Sequence, residues 1–282
     1  MQRKKWFFML CTCLLSLTAA AQDTEFWFVA PDVLHTHADR PVMFVFSNPD
    51  TTKSVEVSIN FYSGNASDTR GDTTVTVSKG GAYTLDCGKA PTVDQTSKYT
   101  PASPYTPNRP MTLIENPISL YGSVSDYGIH ITATGKIIAY YMVAADNQRD
   151  IFTLKGRQAL GTDFYTPFQG KPQSYPQGGT GFSSNYQDAY SQIDIVATEP
   201  DTWVKITMPD GTESWVNLPA KGKTYKVYAK SMAGVNVVSG GAHPLSGTRI
   251  ESVEGDNSDV HDPAKPIAVT ITEDCISNRQ AV

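Results

Sequence analysis

Cysteine is scarce in this chain of 282 residues, which contains four. Cys11 and Cys13 lie near the N-terminus, so Cys87 and Cys275 are all that the remainder offers. That excludes a disulfide-built scaffold; one Cys87–Cys275 bridge is the most such a chain could form, and sequence alone does not pair the two thiols. Charge is sparse as well: Asp, Glu, Lys and Arg make up 18% of the residues, and the formal net charge is −5. No basic stripe is present, which speaks against nucleic acid as a partner. Helical periodicity is missing beyond the N-terminal segment, where no stretch of ten or more residues repeats its apolar positions at helical spacing. Catalytic signatures are missing too. The chain has no G-x-S-x-G elbow, no H-E-x-x-H, no C-x-x-C and no Walker A loop, and nothing in it calls for a cofactor.

One apolar run is present, at the start. Arg3, Lys4 and Lys5 precede Trp6 to Leu17, and Ala19-Ala20-Ala21 supplies the small residues of a cleavage site before Gln22. Residues 1–21 read as a secretory signal, because the apolar run is shorter than the roughly 20 residues of a membrane span. The expected mature chain of 261 residues loses three cations, which takes its net charge from −5 to −8. Such a chain has no integral membrane span after signal removal and is expected outside the cell, secreted or at the cell surface.

What remains is rich in turns and short alternating strands, with 21 Gly and 18 Pro. It is also internally echoed. FVFSNPDTTKSVEVSI, from residue 44, is answered by DIVATEPDTWVKITM, from residue 194. Lys79-Gly80 and Tyr83 are answered by Lys221-Gly222 and Tyr225, and GIHITATGKIIAYYMVAAD (128–146) by GTRIES and KPIAVTITED around an insertion. The fold class expected is all-β with internally duplicated short-strand repeats. A β-propeller-like arrangement is favoured; two tandem β-sandwich domains are the alternative. The domain reading is a signal over 1–21, a first β-repeat unit over 22–148, a connecting segment with a Gly/Tyr-rich loop over 149–192, and a second, possibly incomplete unit over 193–282.

The candidate sites are modest. His35 and His37 share a face of an extended segment but have no third ligand, and a polar turn is the simpler reading. Glu254 to Asp259 gathers oxygen atoms without the spacing of a calcium loop. No metal site is assigned. Lys155 and Arg157 are read as neutralising Asp150 or Asp163 locally, or as lying solvated. Tyr165, Phe168, Tyr175, Phe182, Tyr186 and Tyr190 stand among Gly, Gln and Pro, where flat rings on loops can stack on sugars or anchor a protein. The competing reading is that they cover the loop's own underside.

Four stretches carry a family resemblance: EFWFVAPDV (25–33) with HADRP (37–41), GIHITATGKIIAYY (128–141), DIFTLKGRQALGTDFYTPF (150–168), and SGTRIES with KPIAVTITED (246–274). The DIF-LKG-ALGT-FY pattern is the most specific of them. Together they resemble the N-terminal domain family of IgG-Fc-binding proteins, whose bacterial members are exported and often large surface proteins. The resemblance implies a binding or adhesion module; no residue of this chain is assigned to Fc binding by it. Family members continue past the position matching Asp274-Cys275, so the chain is expected to be short for the family.

The function expected is that of an exported, non-enzymatic, adhesin-like module of the bacterial cell surface, recognising an extracellular glycoprotein or glycan. A glycan-active hydrolase or lyase and a purely structural envelope module are the alternatives.

Overall fold

The computed structural model describes residues 22–30, 40–62, 73–90, 92–93, 99–100, 122–144, 149–168, 190–230, 245–255 and 264–273. Most of them are strand, and none is α-helical. The first group is β1 (Gln22–Val29), β2 (Arg40–Ser47), β3 (Val55–Phe61), β4 (Thr73–Val77), β5 (Ala82–Ala90), β6 (Thr92–Val93), β7 (Tyr99–Thr100), β8 (Val124–Ser125), β9 (Gly128–Ala144) and β10 (Arg149–Thr153). A 3-10 turn, Gly156–Ala159, leads into β11 (Leu160–Gly161), β12 (Asp163–Tyr165), β13 (Tyr190–Ala197), β14 (Thr202–Thr207), β15 (Glu213–Leu218), β16 (Thr224–Lys230), β17 (Arg249–Val253) and β18 (Ile267–Glu273).

Period-two alternation explains the strands locally. In β3, Val55, Val57, Ile59 and Phe61 are buried, while Glu56 and Ser58 are exposed. β14 alternates in the same way: Thr202, Val204 and Ile206 face in and Trp203, Lys205 and Thr207 face out.

The long strand β9 organises the first set of sheets. Its first part pairs with β1 and β3, with Ile131 opposite both Phe26 and Ile59. Its later part pairs with β2 and β10, where Tyr141 lies opposite Phe44 and Phe152. β9 therefore belongs to two layers, β4-β3-β9-β1 and β5-β2-β9-β10. Their side chains meet in one core that includes Phe26, Phe28, Phe44, Phe46, Ile131 and Tyr141. The change of layer falls where the register to β1 shifts, between Asp23 and Glu25. Bulges and bends of this kind let a strand turn a corner between sheets.

The second set repeats that order. β15-β14-β17-β12 corresponds to β4-β3-β9-β1, and β16-β13-β18-β11 to β5-β2-β9-β10, with β8 added beside β16. Two strands, β17 and β18, stand where the first set uses the two parts of β9. Ile193, Ile195, Val204, Ile206 and Ile250 share the second core. Tyr83 and Tyr225 are each the second residue of the strand that follows a Lys-Gly turn, and each packs against its core. Their registers differ: Tyr83 lies opposite Phe46, Tyr225 opposite Ile195.

The described sheets do not take the favoured propeller-like arrangement. Blades of a propeller are separate four-stranded sheets set around a channel. Here β3 lies beside β9 and β13 beside β18, and the sheets share cores in pairs, as in sandwich-like layers. Alternation along a strand reports its buried face and carries no information about which strand becomes its neighbour.

A seam joins the two sets. Trp27 and Val29 of β1 pack with Val196 of β13 and Ala268 of β18. Gly128 N–H donates to the Gly222 carbonyl at 3.2 Å. Gly222 has φ +81°, and a Cβ there would overlap the Tyr62 ring, so both the turn and the close approach require glycine.

Candidate binding face

The outward side of β12-β17-β14-β15 is the most functionally suggestive surface among the described residues. Phe164, Ile250, Val204 and Val216 point to the second core. The intervening residues must then face out. β12 contributes Asp163 and Tyr165, and β17 contributes Arg249 and Glu251. β14 contributes Trp203 and Lys205, and β15 contributes Glu213 and Trp215. The registers set Tyr165 opposite Arg249 and Lys205 between Glu251 and Trp215.

The charges on this face are tied to one another. Arg249 forks onto Asp163, with Nε to Oδ1 at 3.0 Å and Nη2 to Oδ2 at 2.9 Å. Its Nη2 also lies 2.9 Å from Glu251 Oε1. The hydrogen bond from Arg249 holds the Asp163 carboxyl below its ordinary range, and Asp163 raises the guanidinium in return. Lys205 Nζ lies 2.6 Å from Glu213 Oε1. Both cations also sit over rings: Arg249 lies 5.5 Å from the Tyr165 centroid and Lys205 5.2 Å from that of Trp215. Tyr165 is 64% exposed, while Trp203 and Trp215 are half-buried. The arrangement holds planar groups ready for contact at little entropic cost, since neighbours already limit their rotamers.

The structure sorts the rings expected from the sequence. Tyr165 lies on this face. Phe168 is 8% exposed and packs in the second core. Tyr190 begins β13 opposite Lys230. Tyr175, Phe182 and Tyr186 lie outside the described residues, as do His35, His37 and Cys275; Cys87 lies in β5. Among the described residues no group of three or more His, Cys, Asp or Glu is placed to hold a metal ion.

Arg157 differs from its expected pairing. Its Nη2 lies 2.8 Å from Oδ1 of Asp23, and its backbone N–H donates to Oδ2 at 2.9 Å. Asp163 belongs instead to Arg249. Burial raises the Asp23 carboxyl, but hydrogen bonds from Arg157 and Thr24 outweigh it and leave the group below its ordinary value.

Trp203, Lys205, Trp215 and Arg249 were not among the sequence candidates. Their signal was present: in TWVKIT and ESWVNL each tryptophan occupies the phase of the strand that also carries charge.

Comparison with known proteins bears on the same residues. Residues 151–282 match the model of a family described as IgGFc binding protein. Over these residues the chain is similar to the IgGFc binding protein family. The match covers every residue named on the face and the DIF-LKG-ALGT-FY pattern from Ile151 onward; the related stretches at 25–33, 37–41 and 128–141 fall outside it. No curated protein matches the chain. A solved structure from Broad bean stain virus is similar at 9% identity, over 87% of this chain and 79% of that one, with a TM-score of 0.21, and carries no argument. No helix among the described residues is long and apolar enough to cross a membrane.

Proposed function

We propose that this protein is an exported, non-enzymatic binding module. It acts at the cell surface and recognises an extracellular glycoprotein through the outward face of β12-β17-β14-β15. The observation that carries this reading is the set Tyr165, Trp203, Trp215, Lys205 and Arg249 on one open sheet face. Tyr, Trp and Arg are the residues that dominate the energetics of protein recognition. The family description supports a protein partner. Export rests on the N-terminal leader. The carboxylates of the face are each held by a cation, which suits rigid recognition better than proton transfer.

The test is binding of the purified chain to immobilised mucins, glycan arrays and antibody Fc. Replacing Tyr165, Trp215 or Arg249 with Ala should weaken binding to a responding ligand by about 1 kcal/mol or more for at least one position, roughly fivefold. The melting temperature should stay close to that of the unaltered chain. Binding that survives all three changes undiminished would remove this face from the reading.

A further inference from the structure

On the side of sheet β16-β13-β18 turned away from the second core, three polar side chains meet. Gln192, Asp194 and Lys226 are 0%, 1% and 0% exposed. Asp194 lies directly opposite Lys226, and Gln192 is the next residue of β13 on that face. Lys226 Nζ lies 3.1 Å from Gln192 Oε1 and 3.0 Å from Asp194 Oδ1. The contact with Asp194 is close but poorly directed, and neither carboxyl oxygen accepts a well-formed hydrogen bond. A charged pair in such a place loses its hydration without good geometry in return. Moving one proton from Nζ to the carboxyl removes both charges. Burial favours that direction by raising the Asp194 carboxyl, against the pull of Lys226. That transfer would leave a neutral amine, a carboxamide and a carboxylic acid confined together.

We propose that Lys226 and Gln192 form an intramolecular isopeptide bond, with Asp194 carrying the proton. The amine lone pair attacks Cδ of Gln192, and the carbonyl electron pair moves onto Oε1, which takes a proton from Asp194. The Asp194 carboxylate then removes a proton from Nζ and delivers it to Nε2. The C–Nε2 bond breaks, the carbonyl re-forms as Oε1 returns its proton, and ammonia leaves. An amine and a primary amide become a secondary amide and ammonia, with no oxidant, metal or cofactor needed. Confinement supplies the effective concentration that makes an otherwise slow transamidation feasible. The bond would tie β13 to β16 in a chain left with few cysteines beyond its leader, and reductants would not open it.

Peptide mapping of the purified full chain tests the proposal. The tryptic segment Thr224–Lys230 should be recovered uncut after Lys226 and joined to the peptide that contains Gln192. The joined species should be lighter than the two parts by one ammonia. Intact mass alone does not suffice, because an N-terminal Gln22 can also lose ammonia by cyclising. Lys226→Arg should restore exactly one ammonia relative to the unaltered chain whatever happens at Gln22. Asp194→Asn should leave the two peptides separate. Separate peptides cut at Lys226 in the folded, unaltered chain would overturn the bond, even if neither variant folds. Loss of water in place of ammonia would move the bond to Asp194 and overturn the assignment of Gln192. A full yield of the joined peptide from Asp194→Asn would overturn the role of Asp194.

Discussion

At Gly156 one missing side chain positions a whole ion pair. Its φ is +63°, and a Cβ there would overlap the Asp23 side chain. Glycine thus lets the 3-10 turn close onto β1, where Arg157 reaches Asp23. Gly156→Ala should destabilise the protein by about 1–3 kcal/mol, from the left-handed strain and the displaced pair; a denaturant titration checks this. Asp23 itself predicts a pH response. Its folded carboxyl lies below the ordinary value of 3.8, so its contribution is complete above that pH and is lost as pH falls through the lower folded value. Asp23→Asn should remove that part of the acid sensitivity in melting curves. None of this was legible in the sequence, because Asp23 and Arg157 are 134 residues apart and every nearer carboxylate looked an equal partner.

At the scale of elements, β1 and β9 present the seam to the Lys221-Gly222 turn. Trp27 stacks on His130 with centroids 4.0 Å apart and on Tyr62 at 5.8 Å, and Lys221 lies 5.0 Å above its ring. Glu25 Oε1 lies 3.0 Å from His130 Nε2. Burial depresses the His130 pKa below 6.5; Lys221 adds to this and Glu25 opposes it. Stability from neutral His130 is therefore complete above pH 6.5 and is lost as pH falls through its lower folded pKa. Melting temperatures between pH 8 and pH 5 should show this fall, and His130→Gln should flatten it. Strand existence is legible here from the β-branched and aromatic residues of GIHITATGKIIAYY, but Gly135 within it reads as a break between two strands. The structure runs one strand, β9, through Gly135, where a Cβ would come within 3.0 Å of Val55. A glycine that reads as a break in isolation is, in the fold, the place where a neighbouring side chain comes close.

Among the described residues, the two sets of sheets meet through a small apolar patch, one ring cluster, the Gly128–Gly222 contact, the pairing of β8 with β16 and the Asp23–Arg157 ion pair. Gly222→Val would force a side chain into Tyr62 and strain a left-handed backbone. Calorimetry should then show two transitions where the unaltered chain shows one, as expected when coupling between units is lost. A single transition at unchanged temperature would mean that the seam does not couple them. Such a split would also support the unit boundary proposed within residues 149–192.

The sequence by itself determined the all-β class, the buried phase of strands such as β3 and β14, and the family likeness of 151–282. These properties are local or depend on pattern: alternation follows from backbone geometry, and a motif needs only its own residues in order. The tertiary structure alone decided that β9 serves two layers, that Phe168 is core while Tyr165 is open, and that Arg249, Trp203 and Trp215 share one surface. It also brought Gln192, Asp194 and Lys226 together. Each of those outcomes depends on which distant strands become neighbours, and that choice is made by the packing of whole faces against one another.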